Sequence, residues 1–195
     1  MWDERYSTST YVYGTEPNRF LAENTQRLPK GKVLCLAEGE GRNAVHLARC
    51  GYQVTAVDAS EVGRTKALKL AQKHNVSIDY QIADLASFDL GIDQWDGIVS
   101  VFCHLPPALR CSVHQRVTRA LKPGGVLLLE AYTPNQIRLG TGGPKDESMM
   151  MTVALLEKEL KPLHFRHLLE LQRNVVEGTG HTGTGAVVQA IAVKE

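Results

Sequence analysis

The chain has 195 residues, of which 43% are hydrophobic and 22% are charged, with 22 Lys and Arg against 21 Asp and Glu. This length predicts a single domain with a proper core. The net charge of +1 argues against nucleic-acid binding, which usually needs a basic excess. No apolar run approaches the about 20 residues that a membrane span requires.

The N-terminal residues and the cysteines predict the compartment. Residues 1–6 lack the basic stretch and following apolar run of a signal peptide. The four cysteines form no Cys-x-x-Cys pair, and free cysteines in apolar segments usually act as small hydrophobic residues. We therefore expect a cytoplasmic protein that binds a small molecule, without nucleic acid or membrane. The sequence predicts no oligomeric state.

Strand and helix patterns alternate through the first two thirds of the chain. After a polar and aromatic lead-in and a helical pattern at residues 18–28, apolar runs predict buried strands separated mostly by helices. The predicted strands are residues 33–37, 53–57, 78–82, 97–102 and 126–129. The predicted helices are residues 43–50, a segment from Ser60 to about His74, and an apolar stripe from Leu109 to Leu121.

The C-terminal third has a different pattern. A glycine-rich loop at residues 140–144 precedes a helical pattern at 152–160. Two further strands, 165–176 and 186–193, flank the Gly/Thr-rich segment 178–185, and a short link of this kind predicts an antiparallel pair. The predicted fold is α/β: a doubly wound, mostly parallel, seven-stranded Rossmann-like sheet with a C-terminal antiparallel strand pair.

The turn after the first predicted strand has the features of a cofactor loop, because open parallel sheets bind ligands at the carboxyl ends of their strands. Gly39 and Gly41 remove side chains where a ligand would approach the backbone, and the next helix directs its N-terminal N–H groups to the same space. Asp58 ends the second strand, where a carboxylate can accept hydrogen bonds from ribose hydroxyls. Taken alone, the glycines could simply form a turn, and Asp58 could simply cap a helix. Their combination favours ligand binding.

Two cofactor classes fit this loop. Its G-x-G-x-x-A pattern with Asp58 matches the fingerprint of an NAD-dependent oxidoreductase. Glu38 and Glu40 argue against that class, because their charges would lie beside a pyrophosphate, whereas acids suit the sulfonium and ammonium groups of S-adenosyl-L-methionine. Asp84, after the third strand, can accept from an adenine amino group. A methyltransferase, an NAD-dependent oxidoreductase and a non-catalytic adenosine-ligand binding module all remain open.

An ordered set of segments resembles the successive motifs of class I S-adenosylmethionine-dependent methyltransferases. These segments are residues 33–43, 57–58, 83–85, 95–100 and 121–125. Both ends of the chain resemble the tellurite-resistance/thiopurine methyltransferase-like subgroup, through residues 2–6, 13–18, Glu177, Gly178 and His181. The resemblance covers nearly the whole chain. It implies methyl transfer to a small-molecule acceptor and, through the subgroup, to a thiol or a chalcogen oxyanion.

The resemblance also implies a set of residues around S-adenosyl-L-methionine. Asp58 would hold the ribose hydroxyls, Asp84 would accept from the adenine amino group, and the Val101 backbone would meet the methionine amino group. Arg5, from the lead-in, would pair with the methionine carboxylate. The predicted cofactor-binding residues are Arg5, Tyr6, Glu38, Gly39, Gly41, Asp58, Ala59, Asp84, Leu85 and Val101.

The first loop departs from the family pattern at two positions. Cys35 and Ala37 stand where the family usually has an acid and a glycine, so the acid that often helps to hold the methionine amino group is missing there. Either Glu38 supplies this charge from a shifted position, or it faces solvent. Within a single domain 1–195, we expect residues 1–30 to cover the cofactor, 31–130 to bind it, and 131–195 to form the acceptor side.

The sequence assigns no catalytic residue. Methyl transfer needs alignment of the acceptor and, for alcohols or amines, a base. His104, Glu130 and Tyr132 follow the fourth and fifth strands and are candidates, although a turn residue and solvated strand ends explain them equally well. His181 either approaches the site or lies at an exposed hairpin tip. No metal site is predicted, because the spaced His and Cys pairs lack further ligands.

Overall fold

The computed structural model describes residues 2–195, which contain one seven-stranded sheet. Its strands are β1 (Lys32–Leu36), β2 (Gln53–Asp58), β3 (Asp79–Ile82), β4 (Trp95–Val101), β5 (Leu121–Tyr132), β6 (His164–Glu177) and β7 (His181–Val193). The strand order is β3-β2-β1-β4-β5-β7-β6. Strands β1 to β5 pair in parallel, whereas β7 is antiparallel to both β5 and β6. The predicted fold class is therefore confirmed.

Helices cover both faces of this sheet. The α-helices of the described residues are α1 (Trp2–Tyr6), α2 (Arg19–Asn24), α3 (Arg42–Arg49), α4 (Glu61–Lys73), α5 (Pro107–Ala120) and α6 (Val153–Glu159). Short 3₁₀ helices occur at Thr25–Arg27, Pro134–Arg138 and Glu147–Met149. Helix α4 begins where predicted, because Ser60 Oγ accepts a hydrogen bond from Gly63 N over 2.9 Å. None of the helices within residues 2–195 has the length and apolarity to span a bilayer.

Two strands begin five residues earlier than predicted. Strand β5 begins at Leu121 rather than at Val126, since Leu121 pairs with Trp95 before a register shift. Strand β7 begins at His181, so much of the predicted Gly/Thr loop belongs to a hairpin. Strand pairing depends on backbone hydrogen bonds, so a strand with small or polar side chains can form without a hydrophobic pattern in its sequence.

The core has one layer on each face of the sheet. Alternate residues of β1 point to opposite layers, Leu34 towards α5 and α6, and Val33 towards α2 and α3. Burial on both faces explains the continuous apolar run that predicted this strand. Because β1 to β5 are parallel, their carboxyl ends meet at one edge of the sheet, where the candidate site lies.

Candidate functional site

A cavity of about 240 Å³ lies at the carboxyl ends of β1, β2 and β4. Half of the predicted cofactor-binding residues line it: Arg5, Tyr6, Glu38, Asp58 and Val101. The other lining residues are Trp2, Tyr13, Ala37, Arg42, Asn43, Phe102, Cys103, His104, Leu105, Gly143, Pro144, Met149 and His181. We call the part near β1 and β2 the cofactor half, and the part near Phe102 and His181 the acceptor half.

Asp58 forms one corner of the cofactor half and accepts from the backbone of Gly39, which is not among the residues lining the cavity. Asp58 Oδ2 accepts from Gly39 N and its Oδ1 from Ser60 N, each over 2.9 Å. Burial raises the pKa of the Asp58 carboxyl, and the two backbone N–H donors partly oppose that shift. A Cβ at Gly39 would lie 2.6 Å from the Tyr6 hydroxyl, so glycine lets Tyr6 close on this corner.

Position 41 requires glycine for a different structural reason than position 39. Its φ is +90°, and a Cβ there would lie 2.5 Å from the Cβ of Ala67 on α4. Glycine is therefore needed for the close approach of the loop to α4. The cofactor contact expected of Gly41 stays a prediction, since this residue is not among those lining the cavity.

Glu38 is buried at the N-terminus of α3. Its Oε1 accepts hydrogen bonds from Asn43 N over 3.0 Å and from Ala44 N over 2.7 Å. Burial raises the pKa of Glu38 to about 7, although these donors lower it. Glu38 therefore does not face solvent. The prediction that the first N–H groups of α3 are free for a ligand is wrong here, because Glu38 accepts from two of them.

Glu40 is directed away from the cavity. Its carboxylate forms an ion pair with Lys66 and accepts from Val12 N over 2.8 Å. We expected both Glu38 and Glu40 to lie beside the cofactor. That expectation is wrong for Glu40, because Lys66 neutralises its charge outside the cavity lining.

The three remaining predicted residues lie outside the cavity lining. Asp84 is exposed, and its Oδ1 accepts from Ala86 N over 2.8 Å within a turn. Leu85 is buried in the core, and Ala59 is exposed directly after Asp58. The cofactor contacts expected of these residues stay predictions.

Aromatic rings line the acceptor half. The ring of Phe102 stacks on that of Tyr132 at 4.5 Å between centroids. His181 lies edge-on to both rings, 4.8 Å from Phe102 and 5.2 Å from Tyr132, and 4.6 Å from Tyr13. Since His181 is only 6% exposed, it approaches the site and is not an exposed hairpin tip.

The His181 ring is held neutral. Its Nδ1 is buried and has no hydrogen-bond partner within residues 2–195. Burial, together with the positive charge of Arg42, lowers the pKa of His181 to about 3. A neutral imidazole without a partner at a cavity wall is suited to contact a ligand.

His104 is committed to the backbone. Its Nε2 accepts from Tyr132 N over 3.0 Å, so the proton lies on Nδ1, which donates to Phe102 O over 3.1 Å. Burial lowers the pKa of His104 to about 4. With both ring nitrogens engaged, His104 is not suited to act as a base.

The other two base candidates do not line the cavity. Glu130 is fully buried and accepts from Asn18 Nδ2 over 2.6 Å, Gln189 Nε2 over 2.7 Å and Arg173 Nε over 2.8 Å. Tyr132 contributes its ring to the aromatic cluster, and burial raises the pKa of its hydroxyl. Among the described residues, no group of three or more His, Cys, Asp or Glu side chains could hold a metal ion.

The two glycine-rich segments that the sequence left unassigned meet over the aromatic cluster. A Cβ at Gly142 would lie 2.7 Å from Cδ2 of His181, and one at Gly143 would lie 2.8 Å from Cδ2 of Tyr132. Thr141 Oγ1 donates to Thr184 O over 2.6 Å and ties the segments together. Glycine thus lets this loop cover the acceptor half at van der Waals distance.

Among the cavity-lining residues to which the sequence assigned no role are Tyr13, Arg42 and Phe102. All three lie in segments that already carried a signal. Arg42 begins α3 directly after the first loop, and Phe102 directly follows β4. Tyr13 lies in the segment 13–18 that resembles the methyltransferase subgroup, and long-range packing brings it to the cavity.

The sheet order and the pocket at the strand ends define a Rossmann-like fold of the methyltransferase type. Residues 33–125 match the family model described as a methyltransferase domain. This match spans β1 to the start of β5 and includes the loop of Glu38 and Gly39.

Individual relatives agree with that match. The ubiquinone biosynthesis O-methyltransferase of Xanthomonas campestris pv. campestris is 31% identical over 127 residues, which are 60% of this chain and 50% of the relative. The chain thus spans about half the length of the curated relatives it matches.

Solved structures show the same fold at low sequence identity. A structure described as "Conversion of a Disulfide Bond into a Thioacetal Group during Echinomycin Biosynthesis" has a TM-score of 0.78 at 18% identity, over 99% of this chain and 88% of the other. TehB from Haemophilus influenzae has a TM-score of 0.74 at 21% identity, over 100% and 66% respectively.

Proposed function

We propose that this chain is an S-adenosyl-L-methionine-dependent methyltransferase for a small-molecule acceptor. The supporting observation is the pair of buried carboxylates, Glu38 and Asp58, on the wall of the cofactor half. Burial raises the pKa of both, so a cation beside them is stabilising and an anion is not. The bound cofactor would supply a methyl group on a positively charged sulfur.

The residues of the cofactor half fit this ligand. A carboxylate offers about four lone-pair sites, so Asp58 can accept from ribose hydroxyls while it holds Gly39 and Ser60. Arg5 lines the cavity with its guanidinium 5.3 Å from the Trp2 ring centroid and 5.5 Å from that of Tyr13. From there it would pair with the methionine carboxylate.

The N-terminus of α3 favours this cofactor over NAD. A pyrophosphate binds where the first N–H groups of a helix are free and point at the ligand. Here Asn43 N and Ala44 N already donate to Glu38. An incoming pyrophosphate would have to displace a buried carboxylate, and the two negative charges would repel each other.

The acceptor half supports a nucleophile that needs little help from a base. Of the histidines lining the cavity, His104 is engaged with the backbone, and His181 has a pKa of about 3. A group with so low a pKa is a weak base, so an acceptor that is already ionised, or that ionises readily near neutral pH, fits best. We therefore propose a small thiol or a chalcogen oxyanion, with His181 accepting a hydrogen bond from a protonated acceptor.

Titration calorimetry with S-adenosyl-L-methionine, S-adenosylhomocysteine and NAD(H) tests the cofactor. We expect binding of the first two; tight binding of NAD(H) alone would refute the proposal. Release of S-adenosylhomocysteine with a panel of thiols, chalcogen oxyanions, phenols and amines tests the acceptor. Cofactor binding without turnover on any acceptor would instead support a binding module, and turnover on phenols alone would exclude the proposed acceptor class.

A further inference from the structure

Residues 6–14, which we call the strap, contribute two side chains to the cavity lining and are held by one lysine. Lys66 Nζ on α4 donates to the carbonyl oxygens of Tyr6 and Thr8 over 3.1 Å and of Thr10 over 2.7 Å. The same ammonium forms the ion pair with Glu40. Three alternate carbonyl groups of the strap thus share one ammonium group.

The strap is also bound to both halves of the site through a single residue. Val12 N donates to Glu40 Oε2 over 2.8 Å, which ties the strap to the cofactor loop. Val12 O accepts from Gly180 N over 3.0 Å, which ties it to the hairpin that carries His181. The strap therefore connects the cofactor loop to the acceptor-side hairpin.

Two strap side chains form walls of the cavity. Tyr6 lies in the cofactor half, with its hydroxyl against Gly39. Tyr13 lies in the acceptor half, 4.6 Å from the ring of His181. Any displacement of the strap would move both walls together.

We propose that Glu40 and Lys66 are positioning residues that lock the strap and thereby set Tyr6 and Tyr13 in both halves of the site. Neither residue lines the cavity, so each acts through the strap. Their side chains are 3% and 12% exposed, and a buried ion pair that loses one partner leaves an uncompensated charge. The proposal rests on the proposed function for the identity of the ligands that the two halves bind.

Limited proteolysis of the ligand-free protein tests the lock without any cofactor. We compare Lys66→Met with Lys69→Met, a lysine exposed on the same helix. Cleavage within residues 6–14 should be roughly tenfold faster or more in Lys66→Met, since the strap loses the cation that holds three carbonyls. Equal cleavage rates in the two variants would overturn the proposal.

Calorimetry with S-adenosylhomocysteine then tests the consequence for the site. Lys66→Met should bind it about tenfold more weakly than Lys69→Met and should raise the acceptor KM, whereas Lys66→Arg should restore most of both. A melting temperature lowered with affinity and KM unchanged would show a purely structural role. If the wild-type protein binds no S-adenosylhomocysteine, the proposed function fails. The proteolysis still tests whether Lys66 holds the strap.

Discussion

The backbone N–H of Gly39 donates to Oδ2 of Asp58 over 2.9 Å. This bond joins the glycine loop after β1 to the carboxylate that ends β2, so the two sequence features that predicted a cofactor site form one local structure. We predict that Asp58→Ala weakens S-adenosyl-L-methionine binding by about 1–3 kcal/mol, because ribose hydroxyls lose their acceptor. Titration calorimetry measures this change.

Asp58→Ala also removes a hydrogen bond from the loop, so its melting temperature must be compared with that of the wild type. Asp79→Ala is the matched control, because Asp79 begins β3 and lies at the opposite end of the sheet. Unchanged affinity in Asp58→Ala would show that Asp58 only holds the backbone of Gly39 and Ser60.

Glu38 should make cofactor affinity depend on pH. Its pKa of about 7 lies above the ordinary value of 4.5, so the folded ligand-free protein binds the proton more tightly than the unfolded chain. This group therefore lowers folding stability as the pH rises from 4.5 towards 7. A bound cation reverses the effect, because it favours the ionised carboxylate. We predict that S-adenosyl-L-methionine binds more tightly as the pH rises from about 6 to 8.

Glu38→Gln provides the control for this pH dependence. Its amide oxygen can still accept from Asn43 N and Ala44 N, while the titrating charge is lost. The affinity of Glu38→Gln for S-adenosyl-L-methionine should be lower and nearly independent of pH across this range. A slope equal to that of the wild type would assign the titration to another group, such as Asp58.

The fold was predictable because its signals are local. Buried parallel strands give continuous apolar runs, as Val33 and Leu34 illustrate, and Ser60 caps α4 as its side chain predicts. The strand-end rule likewise placed Glu38 and Asp58 at the cavity. These features depend on neighbours in sequence or on a regular topology.

The remaining site details depend on contacts between distant residues. Nothing near Glu40 in the sequence shows that Lys66 neutralises it, and nothing near His104 shows that the N–H of Tyr132 engages its ring. A hydropathy pattern does not encode such partners. The sequence therefore predicted which strand ends meet at the cavity, but not the hydrogen-bond and ion-pair partners of the side chains there.

His181 provides a test of the acceptor half. We predict that His181→Phe keeps the ring packing and leaves the affinity for S-adenosylhomocysteine within about twofold, since His181 lies against the acceptor-side rings. The turnover number should fall about tenfold for a protonated acceptor, which loses its hydrogen bond to His181, and should change by less for an acceptor already ionised. If the kcat of His181→Phe equalled that of the wild type on both acceptor classes, His181 would have no role in the reaction.

A final prediction concerns the buried pair of Arg173 and Glu130. Glu130 is fully buried, and Arg173 donates to it through Nε over 2.8 Å. Arg173→Met leaves the Glu130 charge without its cation, so we predict a loss of about 3–5 kcal/mol in the free energy of unfolding, measured by urea denaturation.

Arg19→Met is the matched comparison for this loss, because Arg19 pairs with Glu23 where their side chains are 74% and 57% exposed. Removal of so exposed a pair should change the free energy of unfolding by less than about 1 kcal/mol. If Arg173→Met were equally mild, the hydrogen bonds from Asn18 and Gln189 alone would suffice for the buried Glu130 carboxylate. The large predicted difference follows from burial, since solvent screens the exposed pair and cannot reach the buried one.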